Sequence, residues 1–227
     1  MPLLEVIAFN LASAQLAAKA GADRLELCSN AAVGGTTPSY GFIKKCVEEI
    51  SIPTFPMIRC KGGSFVYSQM EKELMAEDIK ICKGLGCKGV VFGMLNENDE
   101  LDMETLKHFL NLSSGMEVTF HRAFDRVKNP IDALEQIIQA GCSRILTSGQ
   151  APTASEGISF IKELVSIAEN RIIIMPGSGI RSNNILNLLQ DSGAKEIHSS
   201  ALKNPKELEM VDESEVEKMM EQIREIK

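Results

Sequence analysis

The chain has 227 residues, 44% hydrophobic and 24% charged, with a formal net charge of −7, the balance of a globular protein with a sizeable core. Its acidity and the scatter of its Lys and Arg residues argue against nucleic acid or an anionic membrane as partner. The opening MPLLEVIAFN lacks a basic segment, no apolar run reaches the roughly 18 residues of a membrane helix, and six cysteines without a Cys-x-x-Cys spacing do not form a disulfide framework, so reduced cytoplasm is the expected setting.

Taken in chain order, strand-like and helix-like segments alternate. Strands are expected at 3–9, after Gly21 in GADRLEL, at 53–59, after Gly86 in GCKGVVF, at 116–121, after Gly141 in GCSRILT, at 171–176 and after Gly193 in GAKEIH. Helices are expected near 12–20, 39–49, 71–85, 102–112, 130–140, 155–169, 182–190 and 212–226. The four glycines follow helix-like stretches, where a residue free to take positive φ ends a helix. Asn129-Pro130 and Ser182 read as helix starts. Strict β-α alternation implies a parallel sheet covered by helices, and eight units in this length imply one (β/α)8 barrel forming a single domain over 1–227. The open doubly wound sheet is the alternative, but AFNLAS after the first strand is no Gly-x-Gly-x-x-Gly, so no nucleotide cofactor is indicated.

Side chains alternate along a strand, so every second one points into the barrel. Outward Leu25 and Leu27 turn Glu26 and Cys28 inward. Outward Val118 and Phe120 turn Thr119 and His121 inward, Met57 and Arg59 follow on the third strand, and Ile197 sends His198 and Ser200 to the mouth; Glu5 is also taken as inward. Buried charges require partners, which suggests Glu5 and Glu26 against Arg59, with His121 and His198 beside them. In TFHRAFD, His121 then ends the fifth strand at the mouth, and Arg122 and Asp125 extend onto its rim. After the seventh strand, Gly177, Ser178 and Gly179 offer free N–H groups before a helix, an anion site that Ser199 and Ser200 would complete. Cys46, Cys82, Cys87 and Cys142 read as packing, and His108 as a solvent-facing helix residue.

The phrases GADRLELCSN, GGTTPS, TFHRAFD, RILTSG, PGSGI and HSSA, running in order over roughly residues 4 to 201, closely resemble the CutC family. The resemblance implies a cytoplasmic barrel with a role in copper homeostasis or tolerance, and it makes Cys28 the suspected copper ligand. The family's cysteine in the first strand is replaced by Ile7, while Cys60 stands where the family lacks one and is a candidate substitute. Cu(I) favours thiolate, thioether and imidazole, so Cys28 and Cys60 with Met57 or His121 form the copper hypothesis.

The residues by themselves support another reading, an isomerase- or epimerase-like enzyme acting on a small anionic metabolite, phosphorylated or not, with or without a divalent metal. There Glu26 or Glu5 and His121 or His198 move protons while Arg59 holds the substrate. The expected partners are a small anionic ligand or a copper ion, and assembly into a homo-oligomer is expected.

Overall fold

The computed structural model describes residues 1–203 and 209–226. Its strands are β1 (Leu3–Ala8), β2 (Arg24–Leu27), β3 (Thr54–Pro56), β4 (Gly89–Phe92), β5 (Glu117–Phe120), β6 (Arg144–Thr147), β7 (Ile173–Pro176) and β8 (Glu196–Ser199). The helices are α1 (Leu11–Lys19), α2 (Tyr40–Glu49), α3 (Gln69–Leu85), α4 (Met103–Leu112), α5 (Pro130–Ala140), α6 (Ile158–Ala168), α7 (Ile185–Ser192) and α8 (Glu213–Glu225). Each strand of the α/β barrel is thus followed by its helix, as the alternation predicts.

All strand pairings are parallel, in the orders β3-β2-β1-β8 and β4-β5-β6-β7. A bridge between Met57 and Val91, with Ile58 N–H donating to the Val91 carbonyl at 2.7 Å, joins the two arcs on one side. On the other side β7 packs beside β8. The order around the ring is therefore the order in sequence.

Helix ends follow local chemistry. Ser68 and Glu71 form a reciprocal capping box at the start of α3, and Gly86 closes that helix at φ +85°. Gly21, Gly141 and Gly193 take positive φ after their helices as well. Ser182, in contrast, caps nothing. Asn184 occupies the N-cap of α7, while the Ser182 amide and hydroxyl both donate to the Glu215 carboxylate of α8. The sixth helix starts at 158, not 155, because the preceding residues make a turn that ends at Gly157.

Alternation sorts the strand side chains into two layers. Leu4, Val6, Leu25, Leu27, Val118, Phe120 and Ile197 pack outward with the helices, whereas Ile7, Cys28, Phe55, Met57 and Val91 form a separate cluster inside the ring. Cys46, Cys82, Cys87 and Cys142 belong to the outer layer, as expected, and His108 is exposed.

Below the inner cluster the barrel is filled by charge. Arg24 pairs with Glu5 and, at 2.5 Å, with Glu196; Arg144 bonds Glu196 at 3.0 Å and also reaches Glu117. The Phe55 ring of that cluster stacks against both guanidiniums, 5.0 Å from Arg24 and 5.1 Å from Arg144. These placements correct the expected pairing of Glu5 with Arg59. Register puts Glu5 opposite Arg24 on the adjacent strand, whereas Arg59 lies three residues past the end of β3, above that layer.

Candidate functional site at the barrel mouth

A cavity of about 240 Å³ opens at the C-terminal ends of the strands, the usual location of active sites in such barrels. Glu26, Met57, Arg59, His121 and His198 line one part of it, and Ser178, Gly179, Ser199 and Ser200 another. The sequence-predicted residues therefore converge, with three exceptions in detail.

Glu5 is the first. It is wholly buried beneath the cavity, and its work is to hold His198, whose Nδ1 lies 2.7 Å from its Oε1. Burial alone would raise the Glu5 pKa, but Arg24 and His198 overcome it and hold the carboxyl down at about 2. An ionised Glu5 only accepts, so Nδ1 of His198 is the donor and Nε2 is turned the other way. Nε2 lies 3.9 Å from Oε2 of Glu26.

Glu26 sits in a different field. Burial dominates and pushes it up to about 7, with the Glu5 charge adding and His198 opposing. Its Oε2 accepts from the Cys28 thiol at 3.6 Å, and its Oε1 is buried without a partner. Burial opposes protonation of His198, but the Glu5 hydrogen bond and the two carboxylates outweigh it and raise its pKa. A carboxyl raised to about 7 thus neighbours an imidazole whose pKa is also raised, a pairing suited to acid–base chemistry.

His121 is neutral by contrast, its pKa lowered to about 3 by burial and then by Arg59. The Ala123 amide donates to its Nδ1 at 3.2 Å. In a neutral ring the proton must then sit on Nε2, which is buried with no partner. The ring packs so closely over Gly93 that any Cβ there would collide with it. Phe65 faces the ring at 4.9 Å and carries Arg59 at 4.8 Å from its centroid.

Cys60 is the second exception. Cys28 belongs to the inner cluster, whereas Cys60 packs against the outer one, because it is one residue out of phase with Arg59. Cys28 is wholly buried, and burial, followed by Glu26, holds its thiol pKa well above the usual value. A Cβ placed at Gly35 would lie 3.0 Å from Cys28 Sγ and 3.8 Å from Met57 Cε, so the two sulfur side chains border one spot. Among the described residues no group of three or more His, Cys, Asp and Glu side chains has metal-binding geometry.

The third exception is the loop after β7. The Gly177 N–H already donates to the Thr147 carbonyl at 2.9 Å, and the Ser199 hydroxyl to the Ile180 carbonyl at 2.7 Å. Ser178, at φ +89°, donates its hydroxyl to Pro152. Of the expected anion donors, these hydroxyls and the Gly177 amide are committed to bracing the loop.

The CutC family model matches residues 2–203. This chain belongs to the CutC family. A CutC family protein from Pasteurella multocida is 46% identical over 197 residues, covering 87% of this chain and 81% of that protein. The human protein named copper homeostasis protein cutC homolog is 45% identical over 199 residues, covering 88% and 73%. A solved CutC structure from Streptococcus agalactiae superposes with a TM-score of 0.84 at 38% identity, covering 88% of this chain and 99% of that one.

Within this CutC chain the rim residues of TFHRAFD have a bracing function. Asp125 accepts from Arg122 at 2.7 Å, from the Thr147 hydroxyl at 2.5 Å and from the Ser148 amide at 3.1 Å. It ties the end of β5 to the loop after β6. Sequence reasoning missed Arg24, Arg144 and Glu196. Two of them share the inward parity of a residue it did find, Arg24 with Glu26 and Glu196 with His198, whereas Arg144 lies on β6, for which no inward residue was read.

Proposed function

We propose that the chain acts in copper homeostasis, the role named for its human relative, with Cu(I) as its cargo. The supporting observation is the adjacency of the buried Cys28 to Met57, which lines the mouth cavity, since thiolate and thioether are the donors Cu(I) prefers. Copper must displace the thiol proton, and Glu26, 3.6 Å away, is the group that takes it. His121 is not a ligand in this reading, because its Nε2 carries a proton. Cys60 takes no part either. Six free cysteines suit a reducing cytoplasm. No described helix is long and apolar enough to cross a membrane.

The test is an anaerobic Cu(I) titration of reduced protein against a competing chelator. Stoichiometric binding should be lost in Cys28→Ser, weakened in Met57→Leu and unchanged in Cys60→Ser. Equal binding in wild type and Cys28→Ser would sink the reading.

One specific observation favours a second reading, an acid–base enzyme for a small anionic metabolite. Glu26, which lines the cavity, carries a buried oxygen without a partner, and burial raises its pKa to about 7 beside His198. A cavity of about 240 Å³ lies below the roughly 300–1,000 Å³ of drug-sized sites, so its substrate is compact. Solvent deuterium incorporated into a member of a metabolite panel by wild type but not by Glu26→Gln would support it; incorporation by both would exclude Glu26 as the base.

A further inference from the structure

Arg59 poses a problem that neither copper nor proton transfer resolves. The side chain is 5% exposed, and buried guanidinium groups are ordinarily matched by a carboxylate. Its Nη1 donates to the Val33 and Gly35 carbonyls at 2.9 Å each, and its Nη2 to the Gly63 carbonyl at 3.1 Å. Carbonyl oxygens satisfy hydrogen bonds but carry no net charge. Among the described residues no carboxylate lies within ion-pairing distance of Arg59. The nearby Tyr67 supplies no countercharge, since burial pushes its phenol up to about 12. The Phe65 face is a weak partner for the cation. Nε of Arg59 is buried and makes no hydrogen bond of regular geometry, although the Tyr67 hydroxyl lies beside the guanidinium.

Next to it, across the same Phe65 ring, His121 presents a second buried donor without a partner, the Nε2–H. Both side chains line the mouth cavity. Two unsatisfied donors, one on an uncompensated cation, are what a bound oxyanion would complete: its charge matches the guanidinium and its oxygens take the two N–H groups.

We propose that Arg59 and His121 form the recognition site for the oxyanion group, carboxylate or phosphate, of a small ligand seated in the mouth cavity. This rests on the second functional reading and gives it a substrate class and an orientation. The charged end of the ligand lies against β3 and β5, and not in the glycine loop after β7, whose donors are largely committed. Glu26 and His198 then face the remainder of the ligand.

The experiment is NMR on the reduced, metal-free, full-length chain labelled with ¹⁵N, following the Arg59 Nε–H and the His121 ring. Acetate and inorganic phosphate are titrated separately at constant ionic strength set by chloride. Saturable shifts at both groups with acetate alone would assign a carboxylate, and with phosphate alone a phosphate. His121→Phe keeps the ring against Phe65 and removes the donor; it should weaken binding by about tenfold, as should Arg59→Gln if that variant folds. Shifts that fail to saturate with both anions would overturn the proposal. So would saturation at the amides of Ser178–Ile180 with Arg59 and His121 unmoved. Neither result touches the Cu(I) titration, and the deuterium experiment with Glu26→Gln judges the enzyme reading by itself.

Discussion

Glu5 bonds His198 at 2.7 Å from below the cavity floor, so a residue with no exposure fixes the imidazole at the mouth. The carboxylate remains ionised because Arg24 pairs with it on the adjacent strand. Glu5→Gln removes the charge and leaves Arg24 short of one partner. Breaking a buried pair this way costs about 3–5 kcal/mol, measurable by urea denaturation. His198 should then lose its elevated pKa, and its NMR titration should move to lower pH. An unmoved titration would mean that Glu26 alone holds it up.

Glu196 accepts from two guanidiniums at once, Arg24 at 2.5 Å and Arg144 at 3.0 Å. Glu196→Gln leaves both cations facing a neutral amide around the Phe55 ring. The expected loss is again about 3–5 kcal/mol, with no direct effect on Cu(I) affinity, since the network lies a layer below Cys28. A variant as stable as wild type in urea would show that Glu5 and Glu117 suffice as counterions.

Much of this was legible in the sequence, for reasons that differ by residue. Eight helices and strands follow from glycine stops and apolar runs. Period-two alternation carried Glu26, Met57, His121 and His198 to the cavity. The same alternation, followed one step toward the start of the strand, leads from Glu26 to Arg24 and from His198 to Glu196, so those were available but unread, whereas Arg144 had no such starting point on β6. Arg59 is different. It reaches the cavity as the alternation predicts, but its partners are carbonyls of the loops around Gly35 and Gly63 and not the expected Glu5 and Glu26. Carbonyls leave no trace in residue identity. Cys60 fails because it is one residue out of phase with Arg59, and Ser182 fails because its partner is Glu215 on a distant helix.

Gly93 follows β4 and faces the His121 ring, which leaves no room for a side chain. Gly93→Ala should displace the ring and weaken the Ala123 N–H bond that sets its tautomer. Overpacking of this kind costs about 1–3 kcal/mol, read by chemical denaturation, and the His121 ring signals should shift. Unchanged ring signals would show that β4 yields instead.

The pH dependence of stability divides between groups of opposite sign. Glu26 is raised from 4.5 to about 7 when folded, so between those values the native state holds a proton that the unfolded chain has lost. Stability then falls as pH rises through that window, by about 3 kcal/mol at about 1.4 kcal/mol per unit. His198 acts in the same direction: its folded pKa is raised, so its contribution is complete below the unfolded value near 6.5 and is lost as pH rises through the folded one. His121, lowered to about 3, works the other way, because the unfolded chain binds the proton and stability rises from about pH 3 to 6.5. Glu5, held at about 2, contributes stability above 4.5 that is lost as pH falls toward 2. Urea melts from pH 4.5 to 8 should therefore show wild type losing stability toward the alkaline end of the Glu26 window. Glu26→Gln should remove most of that fall and expose the opposing rise from His121 below pH 6.5. If the two proteins trace parallel curves, Glu26 titrates at its ordinary value, and its role as a proton carrier beside His198 goes with it.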